Sequence, residues 1–97
     1  GDAVLTPRIT REMLKRGVRR AEQGSERERL RALFRRLTKR EREICSLVAD
    51  GLSNAEIAER LVIQPASVKR AVTRILARTG MRDRVQAAVA WHKAGMS

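Results

Sequence analysis

Cysteine, histidine and aromatic side chains are nearly missing from these 97 residues. A single thiol, Cys45, excludes an intrachain disulfide and a multi-cysteine zinc site. With His92 the only histidine, no metal and no cofactor is expected. One Phe, one Trp and no Tyr leave 2% aromatics, too few for a platform that stacks unpaired bases. Apolar runs reach only a few residues, so nothing is expected to span a membrane. No N-terminal signal segment is visible, and the expected location is the reducing cytoplasm. Two catalytic lobes cannot fit; the length suits one small domain, or a small domain plus an arm. Such a domain has a thin core.

Acidic residues are also scarce, 11 Asp and Glu against 22 Lys and Arg, for a net charge of +11. Residues 1–36 carry +6 of this and residues 37–97 carry +5, so the excess is not a detachable tail. Such a field attracts polyanions: DNA, RNA or acidic lipid. Composition alone does not choose among them, and a merely soluble Arg-rich surface stays open. With 42% hydrophobic residues the chain can fold despite its charge.

Strand-like alternation is lacking, and apolar residues recur at helical spacing throughout. The expected class is all-α. A first helix is expected over 7–21, capped by Thr6 and opened by Pro7, with Ile9, Met13 and Val18 as a weak stripe. Gln23-Gly24-Ser25 reads as a break. A second helix follows at 26–36, where Leu30, Leu33, Phe34 and Leu37 fall at i, i+3, i+4 and i+7. Thr38 and Glu41 match a capping box for a helix reaching Asp50, with Ile44, Leu47 and Val48 inward and Gly51 as its left-handed stop. Asn54 is expected to cap a short helix over 55–61. Pro65 opens a longer one, 65–79, that ends at Gly80. Asp83 caps a last helix that Gly95 ends. There Val85, Ala88 and Val89 face one way, and Ala87, Trp91 and Ala94 lie on a flank.

Two short helices joined by a tight connection, 55–61 and 65–79, carry the function signal. Opposite the stripe of Val68, Val72, Ile75 and Leu76, the second helix presents Ser67, Lys69, Arg70, Thr73, Arg74 and Arg78. A helix about 10–12 Å across fits the major groove of B-DNA. In that arrangement its N-terminal half reaches base edges. Arg70 can donate two bonds to guanine, and Ser67 and Thr73 are short hydroxyls suited to bases or phosphates. Arg74 and Arg78, further along, suit the backbone. A solvated charged face is the plain alternative.

The stretch LTKREREICSLVADGLSNAEIAERL (residues 37–61) resembles the LuxR-type (NarL/FixJ) helix-turn-helix family, and the likeness continues through Ser67-Val68-Lys69, Arg74-Ile75-Leu76, Gly80 and residues 82–87. It covers about residues 37–93. The resemblance implies a four-helix DNA-binding domain whose third helix enters the major groove and whose fourth forms a homodimer contact. Helical linker segments (1–36) would precede the DNA-binding domain (37–97). Base contacts are then expected from Lys69, Arg70, Thr73 and Ser67, and backbone contacts from Arg74, Arg78, Asn54 and Lys39. The dimer patch is expected at Val85, Ala88, Val89 and Trp91, with core cover an equal reading for Trp91. Half-sites should lie about one helical turn apart, near 10 bp.

The sequence departs from the family pattern in places. Ala71 stands where a histidine is common, and Lys39 where a proline is frequent. Val62 replaces a turn glycine, so it adopts an ordinary negative φ or bears the cost of a positive one.

Residues 1–10 resemble the junction after the receiver domain of response regulators. This implies a two-component regulator with an upstream receiver domain and a sensor kinase, and RNA polymerase as a further partner. A chain opening on Gly rather than Met fits the same expectation. The competing readings are a LuxR-type regulator without a receiver, a sigma-factor promoter-recognition domain, and a basic helical module for protein interaction or acidic lipid. An enzyme is not expected: Cys45 flanks a core stripe, His92 lies near the end of the last helix, and no glycine-rich phosphate loop is present.

Overall fold

The computed structural model describes residues 24–96, and these are helical with no strand. Five helices follow one another: α1 (24–35), α2 (Lys39–Ala49), α3 (Asn54–Leu61), α4 (Pro65–Thr79) and α5 (Arg84–Lys93). The expected helix over 7–21 lies outside the described residues. Gly24 and Ser25 are the first described residues of α1, and the rest of the expected break, with what precedes it, lies outside the described residues.

Helix boundaries follow local chemistry. Thr38 and Glu41 form the expected reciprocal box at the start of α2: the Glu41 N–H donates to Thr38 Oγ1 at 3.1 Å, and the Thr38 N–H donates to Glu41 Oε1 at 2.8 Å. The cap of α3 is Ser53, not Asn54, which is the first residue of the helix. Ser53 has Glu56 three residues on and forms a second reciprocal box, with bonds of 3.1 and 2.9 Å. The Ser53 backbone N–H, and next its side chain, hold the Glu56 carboxyl below its ordinary value. This box is therefore intact at neutral pH and is lost as pH falls through that lowered value. Pro65 opens α4, and Gly80 closes it in the left-handed conformation, φ 72°.

Val62 takes the costlier of its two options. It sits in the left-handed region, φ 56° and ψ 52°, with its side chain 88% exposed. The strain brings no packing in return. The turn is closed instead by the Ile63 N–H, which donates to the Ala58 carbonyl at 3.0 Å. A left-handed conformation costs an L-residue about 1–2 kcal/mol, and a glycine gives back about 0.5–1 kcal/mol in unfolded-chain entropy. Val62→Gly should therefore stabilise the fold by about 0.5–1 kcal/mol, a rise of a few degrees in melting temperature. Unchanged or lower melting would show the turn to be unstrained.

The core is one cluster. Phe34, Ile44, Ile57 and Val68 are fully buried, so α1 to α4 each contribute. The α5 contribution corrects the expected flank: Ala87, Ala90, Trp91 and Ala94 form its buried face. Trp91 is 4% exposed and meets Phe34 edge-to-face, with ring centroids 5.0 Å apart and planes at 74°. Of its two readings, core cover is the one realised, and its side chain leaves the expected dimer patch.

Long side chains tie the helices together. Arg31 Nε donates to the Ala94 carbonyl at 2.6 Å, joining α1 to the end of α5. His92 Nε2 meets the Ala49 carbonyl at 2.9 Å, at the end of α2. The described part of the expected linker is thus packed into the same core as the residues after it.

Candidate nucleic-acid interface

Helix α4 has two unlike sides. Val68, Ala71, Ile75 and Thr79 are buried, and the Thr79 hydroxyl is satisfied by donating to the Ile75 carbonyl at 2.8 Å. Burial of Ala71 leaves that position no part in an outer surface. Lys69, Arg70, Thr73, Arg74 and Arg78 are exposed, and Ser67 is half-buried. The split follows from the 3.6-residue period: apolar positions at i, i+3 and i+7 turn inward, and everything long and cationic is left outside. Fifteen residues make this helix about 22 Å long, and its packing on α2 and α3 holds it as a rigid rod.

The outer side chains are partly pre-set. Arg70 Nη2 lies 3.4 Å from Ser67 Oγ, which aligns the guanidinium along the first turn of the helix. The Thr73 hydroxyl donates to the Lys69 carbonyl at 3.0 Å. Its proton is therefore used within the helix, and what it offers outward is an acceptor oxygen and a methyl group. Arg74 makes no hydrogen bond or ion pair among the described residues.

The remaining expected contacts stand apart. Arg78 Nη1 lies 3.3 Å from Glu41 Oε1, the carboxylate of the α2 capping box. That carboxylate is nearly buried, so Arg78 ties the far end of α4 to α2. Lys39 is exposed but lies on a shallow groove with Leu47, Arg60 and Leu61, which no α4 residue lines. Asn54 is engaged through its carbonyl oxygen, which accepts from Arg84 Nη1 at 2.6 Å. The sequence gives no hint of this partner, thirty residues on.

On α5, Val85 and Val89 are 68% and 48% exposed, one turn apart, and Ala88 is half-buried between them. With Val48 and Leu52 they line an open apolar groove. Elsewhere the chemistry is quiet. Burial pushes the Cys45 thiol up to about 12, so it is protonated and unreactive at neutral pH. Among the described residues no cluster of His, Cys, Asp or Glu could hold a metal ion, and no helix is long and apolar enough to cross a membrane.

Comparison with known proteins fits this arrangement. Over 57 residues the chain is 49% identical to the transcriptional regulatory protein LiaR of Bacillus subtilis, covering 59% of this chain and 27% of that protein. It is 45% identical over 53 residues to the DNA-binding transcriptional activator DevR/DosR of Mycobacterium tuberculosis, covering 55% and 24%. It is 37% identical over 89 residues to the response regulator protein VraR of Staphylococcus aureus, covering 92% and 38%. The chain thus spans less than half the length of each of these relatives. The model of the bacterial regulatory proteins of the luxR family matches residues 35–91, from the end of α1 through the two-sided α4 and into α5. The match takes in more than half of the chain, and the chain belongs to the luxR family of bacterial regulatory proteins.

Proposed function

We propose that this chain is the DNA-binding part of a transcription regulator, and that it reads the major groove through α4 as a homodimer. The observation that carries the reading is the outer face of α4, where Lys69, Arg70, Thr73 and Arg74 stand together in solvent on a helix anchored from behind by Val68, Ala71 and Ile75. Lys69, Arg70 and Thr73, with Ser67, read base edges. Thr73 does so as an acceptor or through its methyl, which suits adenine or cytosine amino groups and the thymine methyl. Arg74 grips phosphate, and Asn54 adds a backbone contact. Arg78, exposed as well as paired with Glu41, adds a further phosphate contact at the far end of the helix. Val85, Ala88 and Val89 form the partner surface. In the intact protein a receiver domain, as in a response regulator, precedes the segment ending in α1, under a sensor kinase. RNA polymerase is the downstream partner.

Selection from a pool of random duplexes at two salt concentrations tests the reading. Enrichment of a paired motif, with affinity falling steeply with salt, supports it. Weak binding without enrichment removes it. Two substitutions separate the roles. Arg70→Ala should cost about 1–3 kcal/mol on the selected site and relax one base position. Arg74→Ala should weaken selected and random duplexes alike and lower the salt slope by about one. Equal losses for Arg70→Ala on both duplexes, or a selective loss for Arg74→Ala, would reverse the assignments.

A further inference from the structure

We propose that Arg84 is a positioning residue for DNA binding: it orients the Asn54 amide so that its N–H donors face the phosphate backbone, and it ties α5 to α3 at that point. The proposal rests on the reading above, in which Asn54 lies against the backbone.

The geometry is a two-pronged clamp. Arg84 is the first residue of α5 and Asn54 the first of α3. Arg84 Nη1 donates to Asn54 Oδ1 at 2.6 Å, and Nη2 donates to the Leu52 carbonyl at 2.8 Å. Both bonds are short, both bridge segments about thirty residues apart in the chain, and Arg84 is half-buried.

A guanidinium is a donor only, so it can face Asn54 only through the amide oxygen. That choice settles which way the amide lies. Its Nδ2 group is left on the other side, where it makes no hydrogen bond among the described residues. Without the arginine, the Asn54 amide could present either end, and an oxygen toward phosphate repels. The second prong, on Leu52, fixes the turn that delivers Asn54. Only a planar fork holds both acceptors at once, and a lysine ammonium on its single stem matches the pair poorly.

The neighbouring side chain adds meaning. Val85 follows Arg84 directly and points into solvent on the proposed partner surface. The first turn of α5 thus carries a partner residue and the α3 clamp side by side.

The test uses a random-sequence duplex, because a phosphate contact does not depend on base sequence. Loss of one hydrogen bond to a charged phosphate, worth about 1.5–3 kcal/mol, corresponds to about a 10- to 100-fold loss of affinity. Asn54→Ala should show about this loss. Arg84→Met should show a similar loss, and the double variant should lose no more than either alone. Arg84→Lys should recover part of it. Because Arg84→Met also removes a tie between helices, melting is followed in parallel. Asn54→Asp keeps the fold in any case: it accepts from Arg84 as well or better, yet loses the outward donors. Its melting should be unchanged or higher, while its affinity falls by about tenfold or more.

Multiplying losses for Asn54→Ala and Arg84→Met would overturn the proposal, as would wild-type affinity in Arg84→Met or in Asn54→Asp. If Asn54→Ala alone is silent while Arg74→Ala still weakens binding, the clamp is purely structural and the wider DNA reading stands. If Arg74→Ala is silent too, the wider reading fails with it.

Discussion

Replacing Phe34 by alanine should cost about 3–5 kcal/mol of folding stability. The side chain is fully buried, and its ring supports Trp91 from α5 by an edge-to-face contact at 5.0 Å. Truncation leaves a cavity at the joint between α1 and α5. Stability of small domains lies near the low end of about 5–15 kcal/mol, so the loss takes a large share of the total. With no Tyr and one Trp in the sequence, fluorescence reports Trp91 alone. Denaturant unfolding should show a much lower midpoint at similar slope, with native emission shifted to the red if α1 lifts away. A loss below about 1 kcal/mol would mean that α1 is not part of the cooperative unit. A boundary at residue 36 would then separate two independent pieces. The expected large loss would place the working edge of the folded unit upstream, at or before Leu30, which also enters the core.

The reach of α1 into the core is only half legible in the sequence. The stripe Leu30, Leu33, Phe34 and Leu37 announces an amphipathic helix, but a stripe does not name what it packs against. Local chemistry was plain: the Thr38 and Glu41 box, Pro65 and Gly80 all stand where residue types alone put them. The cap of α3 is legible as well, at Ser53 rather than Asn54. Both Ser53 and Asn54 can cap, but only Ser53 has a glutamate three residues on. Helix α5 is much less legible on its inner face. Its small residues occur on every side, so hydropathy barely distinguishes its faces, and Val85 and Val89 draw the eye outward. The alanines at 87, 90 and 94 instead let α5 approach closely enough to bury Trp91 beside them. The ties from Arg78 to Glu41 and from Arg84 to Asn54 are tertiary. Each arginine reads alone as surface charge, and only the fold supplies its acceptor.

Removing the two exposed valines of α5 should separate affinity for a paired site from affinity for a half-site. Val85 and Val89 lie one helical turn apart and remain largely exposed, so Val85→Asn with Val89→Asn should leave the fold intact. Asparagine is neutral and does not by itself repel DNA, as an added carboxylate would. In a two-fold interface each substitution counts twice, so four valine side chains are lost. At about 1 kcal/mol each, the dimer weakens by about 3–5 kcal/mol. Two half-site contacts joined in one body gain about 10²–10⁴-fold over a single contact, by effective concentration alone. The wild-type ratio of half-site to paired-site dissociation constants should lie in that range. In the double variant the ratio should fall by about 100-fold or more, with half-site binding nearly unchanged. Sedimentation at binding concentrations should show the same change from paired to single chains on the duplex. Equal weakening on both duplexes would place the valines near DNA rather than near a partner. An unchanged ratio would move the dimer contact off α5, and would leave the groove between these valines and Leu52 without a role in pairing.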